Sequence, residues 1–347
     1  MQAAAIQSAV RGFAVRQGAG RHGRRQVAVK ASSDAKFADY KPKVAFFFPG
    51  QGAQTVGMGK EVAESVPAAK QLFERASDIL GYDLLAVCGE GPKERLDSTA
   101  VSQPAIYVAS LAALEKLKAE QGPEAADAAD VCCGLSLGEY TALTHAGALS
   151  FDDGVRLVKI RGESMQAAAD AQPSGMVSVI GLSADKVAEL CEAASKEVPE
   201  GQGVRIANYL CNGNYAVSGG IAGCEALEGM AKSFKARMTV RLAVAGAFHT
   251  DFMAPAREKL QEALAGTTIR EPRIPVVSNV DAAPHSDPDV IKSILAQQLT
   301  APVQWETSIR TLLDRGLERS YEIGPNKVIA GIMKRIDKTH PLENITV

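Results

Sequence analysis

The stretch Val131-Cys132-Cys133-Gly134-Leu135-Ser136-Leu137-Gly138-Glu139-Tyr140 decides how the chain is read. An apolar, strand-like run feeds a G-x-S-x-G pentapeptide, and a helix-like run from Glu139 to Ala148 follows. Strand, glycine-flanked serine and helix, in that order, are the outline of a nucleophile elbow. The glycines are needed because a strand that reverses sharply into a helix leaves no room for a Cβ on either side of the strained serine. Ser136 then stands at the tip of the turn, with the N–H of Leu137 aimed at a developing oxyanion. The pentapeptide alone also suits an ordinary surface turn; the strand before it and the helix after it favour the elbow.

Upstream, Val44-Ala45-Phe46-Phe47-Phe48 is a continuous apolar run, as expected of a strand buried on both faces of a parallel sheet. It ends in Pro49-Gly50-Gln51-Gly52-Ala53-Gln54, where Thr55 replaces the third glycine of a dinucleotide fingerprint. A loop that brings backbone close to a reacting group, with Gln51 offering an amide, fits better, and a purely structural turn is the alternative. Helical spacing predicts helices from Val62 to Leu80 and from Gln103 to Leu117, the second capped by Ser102.

Downstream, Ser150-Phe151-Asp152-Asp153 reads as a capping box opening a helix to about Ala171. Leu157 and Val158 lie four and three residues before Arg161, and Met165 four after, so Arg161 falls on the apolar face. An inward guanidinium is costly unless an anion meets it: an internal ion pair, or a substrate carboxylate.

Gln172-Pro173-Ser174-Gly175 marks a boundary. Beyond it come a strand (Met176 to Gly181), a helix capped by Ser183, a strand (Val204 to Tyr209), an Asn212-Gly213 hairpin signal, a strand from Tyr215, a helix from Ile221, and alternation from Met238 to Val244. This is β-α-β-β-α-β, a ferredoxin-like unit. The chain then returns through Gly246-Ala247-Phe248-His249-Thr250-Asp251, and domain junctions are where clefts form. His249 is thus placed to serve Ser136 as a general base, a satisfied structural histidine being the alternative. His145 is too far along the helix leaving the elbow. The last stretch alternates strand (Pro275 to Asn279), helix to Leu299, helix after Trp305, strand (Ser320 to Ile323) and a final helix.

The fold expected is α/β: a large α/β-hydrolase-like parallel-sheet domain over 43–172 and 247–338, with a small ferredoxin-like (βαββαβ) domain inserted at 173–246. The 347 residues, 46% of them hydrophobic, suffice for a core of that size. Net charge is −2, yet Met1 to Ser33 carries six Arg or Lys and no Asp or Glu, which leaves the rest of the chain acidic. A basic, Ala-rich arm without a long apolar segment reads as an organellar transit peptide over 1–33, plastid first and mitochondrion second, with a nucleic-acid-binding arm as the alternative. The acidic remainder, without aromatic-basic interleaving, argues against a nucleic-acid binder, and no apolar run reaches membrane-span length. The six cysteines show no C-x-x-C pair and no metal spacing, so no metal is expected and they read as small core residues.

Phe48-Pro49-Gly50-Gln51-Gly52, Gly134-Leu135-Ser136-Leu137-Gly138-Glu139-Tyr140, Arg161-Gly162-Glu163-Ser164-Met165-Gln166, Ala247-Phe248-His249-Thr250 and Gln298-Leu299-Thr300-Ala301-Pro302-Val303-Gln304-Trp305 occur in that order. Together they resemble the malonyl-CoA:acyl carrier protein transacylases, relatives of polyketide-synthase acyltransferase domains, over roughly Lys43 to Ile336. The resemblance implies malonyl transfer from malonyl-CoA to acyl carrier protein through a malonyl ester of Ser136, in support of fatty acid synthesis. It makes His249 the base, Arg161 the partner of the malonyl carboxylate, and Gln51 with the Leu137 N–H the oxyanion side. It makes the Gln298 carbonyl the group that orients the histidine in place of a triad acid. Leu135 departs from the histidine that often precedes the serine. Exchange between thioesters is nearly balanced in energy and calls for no cofactor. A monomer is expected, and Lys232, Lys235, Arg237 and Arg241 are candidates for meeting an acidic carrier surface, or simply a solvated face. A serine hydrolase of related fold, or a carrier-binding module with a vestigial elbow, are the competing readings.

Overall fold

A computed structural model describes residues 36–347, so the transit segment expected over 1–33 lies outside the described residues. The chain opens with β1 (Val44–Phe48), apolar throughout. The single helix expected from Val62 to Leu80 is two, α1 (Lys60–Ser65) and α2 (Pro67–Leu80). Val66 is extended at φ −123° because it precedes a proline, and Pro67 takes the first helical position, where a missing N–H costs nothing. Two short helices that periodicity did not reveal follow, α3 (Leu84–Glu90) and α4 (Lys93–Asp97). The long helix α5 (Thr99–Gln121) begins a turn earlier than expected, with Ser98 at its N-cap and Ser102 buried inside it.

β2 (Val131–Gly134) leads through the serine turn into α6 (Gly138–His145), and α7 (Phe151–Ala171) starts where the capping box put it, Ser150 Oγ accepting the Asp153 N–H at 3.1 Å. Next come β3 (Ser174–Ile180), α8 (Ala184–Lys196), β4 (Val204–Cys211), β5 (Asn214–Gly220), α9 (Ile221–Met230) and β6 (Met238–Arg241). The chain continues as α10 (Ala254–Gly266), β7 (Val276–Val277), α11 (Pro288–Gln298), α12 (Trp305–Asp314), β8 (Arg319–Ile323) and α13 (Val328–Ile336). A last strand, β9 (Leu342–Ile345), lies beyond the final helix that was expected to end the domain.

The strands form a five-stranded sheet of order β7-β2-β1-β8-β9 and a four-stranded sheet of order β4-β5-β3-β6. Every pairing in the first is parallel and every pairing in the second antiparallel. Both faces of β1 are buried: Phe46 and Phe48 belong to one core cluster, their rings 5.4 and 5.9 Å from that of His145, while Ala45 and Phe47 belong to another, with Phe47 5.9 Å from the Trp305 ring. That is why its run is apolar without alternation.

β1 and β2 are in register from Ala45 opposite Val131 to Phe48 opposite Gly134. The loop carrying Gln51 and the turn carrying Ser136 therefore leave the sheet side by side at the carboxyl ends of the strands, the edge where open α/β sheets place their sites. The small sheet is built wholly from residues 174–241 and has its own core of Val177, Val179, Leu190, Val217 and Leu227. Its edge strand β4 is tied to the segment after α11: Tyr209 N–H donates to the Val303 carbonyl at 2.9 Å, and Val303 N–H to Ala207 at 2.8 Å. Arg205 on β4 donates to the carbonyls of Thr300 at 2.8 Å and His249 at 3.4 Å, so this strand touches both loops that approach the serine.

Candidate active site

Ser136 is half-buried and sits at φ 54°, a left-handed conformation that L residues adopt only under constraint. The constraint is main chain against main chain. A Cβ on Gly134 would fall inside the backbone of Gly138, and one on Gly138 would fall on the Phe48 carbonyl. Asn279, two residues past β7, pins the turn from the other side: its Oδ1 accepts the Ser136 N–H at 2.6 Å and its Nδ2 donates to the Gly134 carbonyl at 2.7 Å. The N–H groups of Gly138, Glu139 and Tyr140 donate to Leu135, Ser136 and Leu137. The Leu137 N–H has no acceptor among the described residues and stands at the positive end of α6.

His249 lies in the return from the small sheet, 4% exposed and at φ 61°. Its turn is held by the Ala247 N–H on Ser174 Oγ at 3.0 Å and by Thr250 Oγ1 on the Ala247 carbonyl at 2.6 Å. The imidazole Nε2 is 3.0 Å from Ser136 Oγ, and Nδ1 is 2.7 Å from the Gln298 carbonyl. A carbonyl only accepts, so Nδ1 carries the proton and Nε2 faces the serine with its lone pair. Gln298 is the last residue of α11, where carbonyls lack intrahelical partners, which leaves this one for the histidine. Burial pushes the His249 imidazole down to about 4, the Arg161 charge adding to the effect and the Gln298 carbonyl opposing it. A neutral imidazole so placed can take the serine proton.

Arg161 is fully buried on α7. Its helix approaches α5 closely because Gly162 faces Thr99 and Gln103 directly. The guanidinium donates from Nη1 to Gln103 Oε1, and from Nη2 to Ser136 Oγ and to Gln298 Oε1, both at 2.9 Å. It lies 5.5 Å from the Tyr140 ring centroid. No carboxylate among the described residues comes within ion-pair distance, so the internal salt bridge left open by the sequence is not formed. Burial lowers the pKa of the group, with Tyr140 and Glu139 opposing. A buried cation whose partners are all neutral is matched to an anion from outside.

Gln51 is brought to the same place but its amide is engaged: Nε2 donates to Thr99 Oγ1 and Oε1 accepts from Gln103 Nε2, each at 3.2 Å. The Gln51 amide keeps one N–H beyond these bonds, and its main-chain N–H is a second donor on that side. Sequence reasoning missed Gln103, Asn279 and the function of Glu139. Glu139 is 3% exposed; its Oε2 accepts the Asn279 N–H at 3.0 Å and Gln298 Nε2 at 2.7 Å, and burial pushes its carboxyl up to about 7 against those bonds. Of the four basic residues near β6, all exposed, Arg241 pairs with Glu228 at 2.6 Å. The six cysteines are buried free thiols.

The model of the acyl transferase domain family matches residues 45–346. The malonyl CoA-acyl carrier protein transacylase of Bacillus subtilis is 41% identical over 296 residues, covering 85% of this chain and 91% of that one. The human mitochondrial malonyl-CoA-acyl carrier protein transacylase is 40% identical over 295 residues, covering 83% and 75%. Among solved structures, the malonyl CoA-acyl carrier protein transacylase of Coxiella burnetii superposes with a TM-score of 0.83 at 36% identity, covering 89% of this chain and 95% of that one. A malonyl-transacylase solved in complex with a type II PKS acyl-carrier protein superposes at 0.81 with 35% identity, covering 88% and 96%.

Proposed function

The chain belongs to the malonyl-CoA-acyl carrier protein transacylase family of acyl transferase domains, and on that premise we propose that it moves a malonyl group from malonyl-CoA to the thiol of holo acyl carrier protein. The observation that carries the substrate is Arg161: a fully buried guanidinium 2.9 Å from Ser136 Oγ, with neutral partners only. A malonyl carboxylate, two bonds beyond the carbonyl under attack, supplies the missing anion. An acetyl group would leave the cation unmatched in a dry site.

In the proposed reaction Ser136 Oγ attacks the thioester carbonyl while His249 Nε2 takes its proton. The oxyanion forms against the Leu137 N–H and the main chain at Gln51. Collapse breaks the carbon–sulfur bond, and the coenzyme A thiolate leaves with the proton from His249. The carrier thiol then enters by the same steps in reverse, giving a ping-pong cycle through malonyl-Ser136. The Gln298 carbonyl takes the orienting role that an aspartate has in a serine triad, with the negative end of α11 favouring the transient imidazolium.

The remaining parts of the proposal are a large domain over 43–172 and 247–338 with an insert at 173–246, a monomer, and a plastid setting with the mitochondrion as the other outcome. The insert is supported by the contiguous second sheet. A fusion of residues 1–42 to a fluorescent protein tests the compartment. The reaction is tested by initial rates with malonyl-CoA and holo acyl carrier protein varied together. Parallel double-reciprocal lines and malonyl-carrier product are expected; release of free malonate without carrier loading would give the chain to the serine hydrolases.

A further inference from the structure

We propose that Glu139 is a positioning residue for malonyl selection, acting through the side-chain amide of Gln298 on the guanidinium of Arg161. This rests on the transacylase reading above. Glu139 touches neither the serine hydroxyl nor the histidine ring. Its Oε2 receives Gln298 Nε2 at 2.7 Å, and the same Nε2 donates to the Ser136 carbonyl at 3.0 Å. On the other end of that amide, Oε1 accepts Arg161 Nη2 at 2.9 Å.

Arginine offers donors alone, and a carbonyl and an ionised carboxyl offer acceptors alone. Turning the amide over would therefore face N–H against N–H at Arg161, and oxygen against oxygen at both Ser136 and Glu139. Glu139 and Arg161 hold the amide from opposite ends, and each fixes the other through it.

Arg161 needs this. Its Nε is buried with no partner, so the plane of the guanidinium is set by what its two Nη groups meet. Those are Gln103 Oε1, Ser136 Oγ and Gln298 Oε1. Glu139 also holds the Asn279 N–H at 3.0 Å, and Asn279 in turn holds the Ser136 N–H at 2.6 Å, so one carboxylate registers arginine and serine to each other. Yet it stays outside ion-pair distance of Arg161. The cation is aimed without being neutralised by contact, and it remains free for a substrate carboxylate.

The test compares Ser136 acylation by malonyl-CoA and by acetyl-CoA in wild type, Glu139→Gln and Glu139→Leu, read as initial rates and as KM. The glutamine oxygen can accept both N–H groups, so Glu139→Gln is expected to keep the malonyl-to-acetyl ratio within about threefold of wild type. Glu139→Leu removes the acceptor, and the ratio is expected to fall roughly tenfold, the worth of one hydrogen bond to a charged group, with KM for malonyl-CoA rising. A merely structural glutamate would lower both acyl reactions alike. An unchanged ratio in Glu139→Leu, or equal ratios in the two variants, overturns the proposal. If Glu139→Leu does not fold, Gln298→Met carries the test. It keeps the main-chain carbonyl on His249 and removes the amide, so it should lose the same selectivity, and full selectivity in it overturns the proposal. A wild type that takes no malonyl group overturns the transacylase reading as well, whereas malonyl loading with unaltered selectivity in the variants overturns the Glu139 assignment alone.

Discussion

Replacing Arg161 with alanine separates the two things the guanidinium does. For a malonyl group it removes a paired carboxylate contact, two charge-assisted hydrogen bonds at about 1.5–3 kcal/mol each. Acylation by malonyl-CoA should therefore lose about 3–6 kcal/mol, or 10²–10⁴-fold in kcat/KM. For an acetyl group there is no carboxylate to lose. What both substrates lose is the Nη2 donor 2.9 Å from Ser136 Oγ, one charge-assisted hydrogen bond at about 1.5–3 kcal/mol, or roughly 10–150-fold. The alanine also frees the amide oxygens of Gln103 and Gln298, a cost common to both substrates. Rapid mixing of the variant with each acyl-CoA, following the burst of free thiol, measures the two rates on one preparation. Malonyl acylation is expected to fall about 10²–10⁴-fold further than acetyl acylation. Equal loss for both would refute the clamp and reduce Arg161 to a structural cation.

Three further outcomes follow from the same geometry. His249 is held down at about 4, so Ser136 acylation should stay flat from pH 8 through 6.5 and fall to half near 4; a limb at 6.5 would mean an imidazole in contact with water. The linkage has a definite sign: the depressed histidine contributes stability above its unfolded value of 6.5, lost as pH falls towards about 4. Glu139 has the opposite sign. Raised from 4.5 to about 7, it contributes stability below 4.5 that is lost as pH rises through 7, roughly 3 kcal/mol over that window. Glu139→Gln should thus gain on wild type between pH 5 and pH 8 in urea midpoints, and a constant difference would contradict the buried carboxyl. Gly134→Ala drives a Cβ into the Gly138 main chain, which cannot rotate away; it should cost at least about 3 kcal/mol by thermal unfolding, and an unchanged Tm would mean a looser elbow.

The parts legible in the sequence were those with local pattern. The elbow, the Ser150 N-cap and the uninterrupted apolar run of β1 depend on neighbours within a few residues, and the structure has all of them, though Asp153 meets the Ser150 hydroxyl and not its N–H as a full capping box would. Local signals misled where two competed: helical spacing across Val62 to Leu80 masked the break that Pro67 imposes, and Ser102 looked like a cap while Ser98 lay a turn earlier. The site beyond the serine is different in kind. Glu139 meets residues 279 and 298, and Arg161 meets residues 103 and 298, contacts that no periodicity encodes. An inward Arg161 could be read from helix spacing; whether an internal acid met it could not, because that depends on which helix packs opposite. Gln298 came from the resemblance alone, since a main-chain carbonyl has no sequence signature.

The most direct measurement is the intact mass of the protein after brief mixing with malonyl-CoA, with Ser136→Ala alongside, followed by holo acyl carrier protein. The account predicts a malonyl adduct on the wild type, none on Ser136→Ala, and its transfer to the carrier when the carrier is added. A wild type that gains no mass, or an adduct that persists in Ser136→Ala, would contradict it.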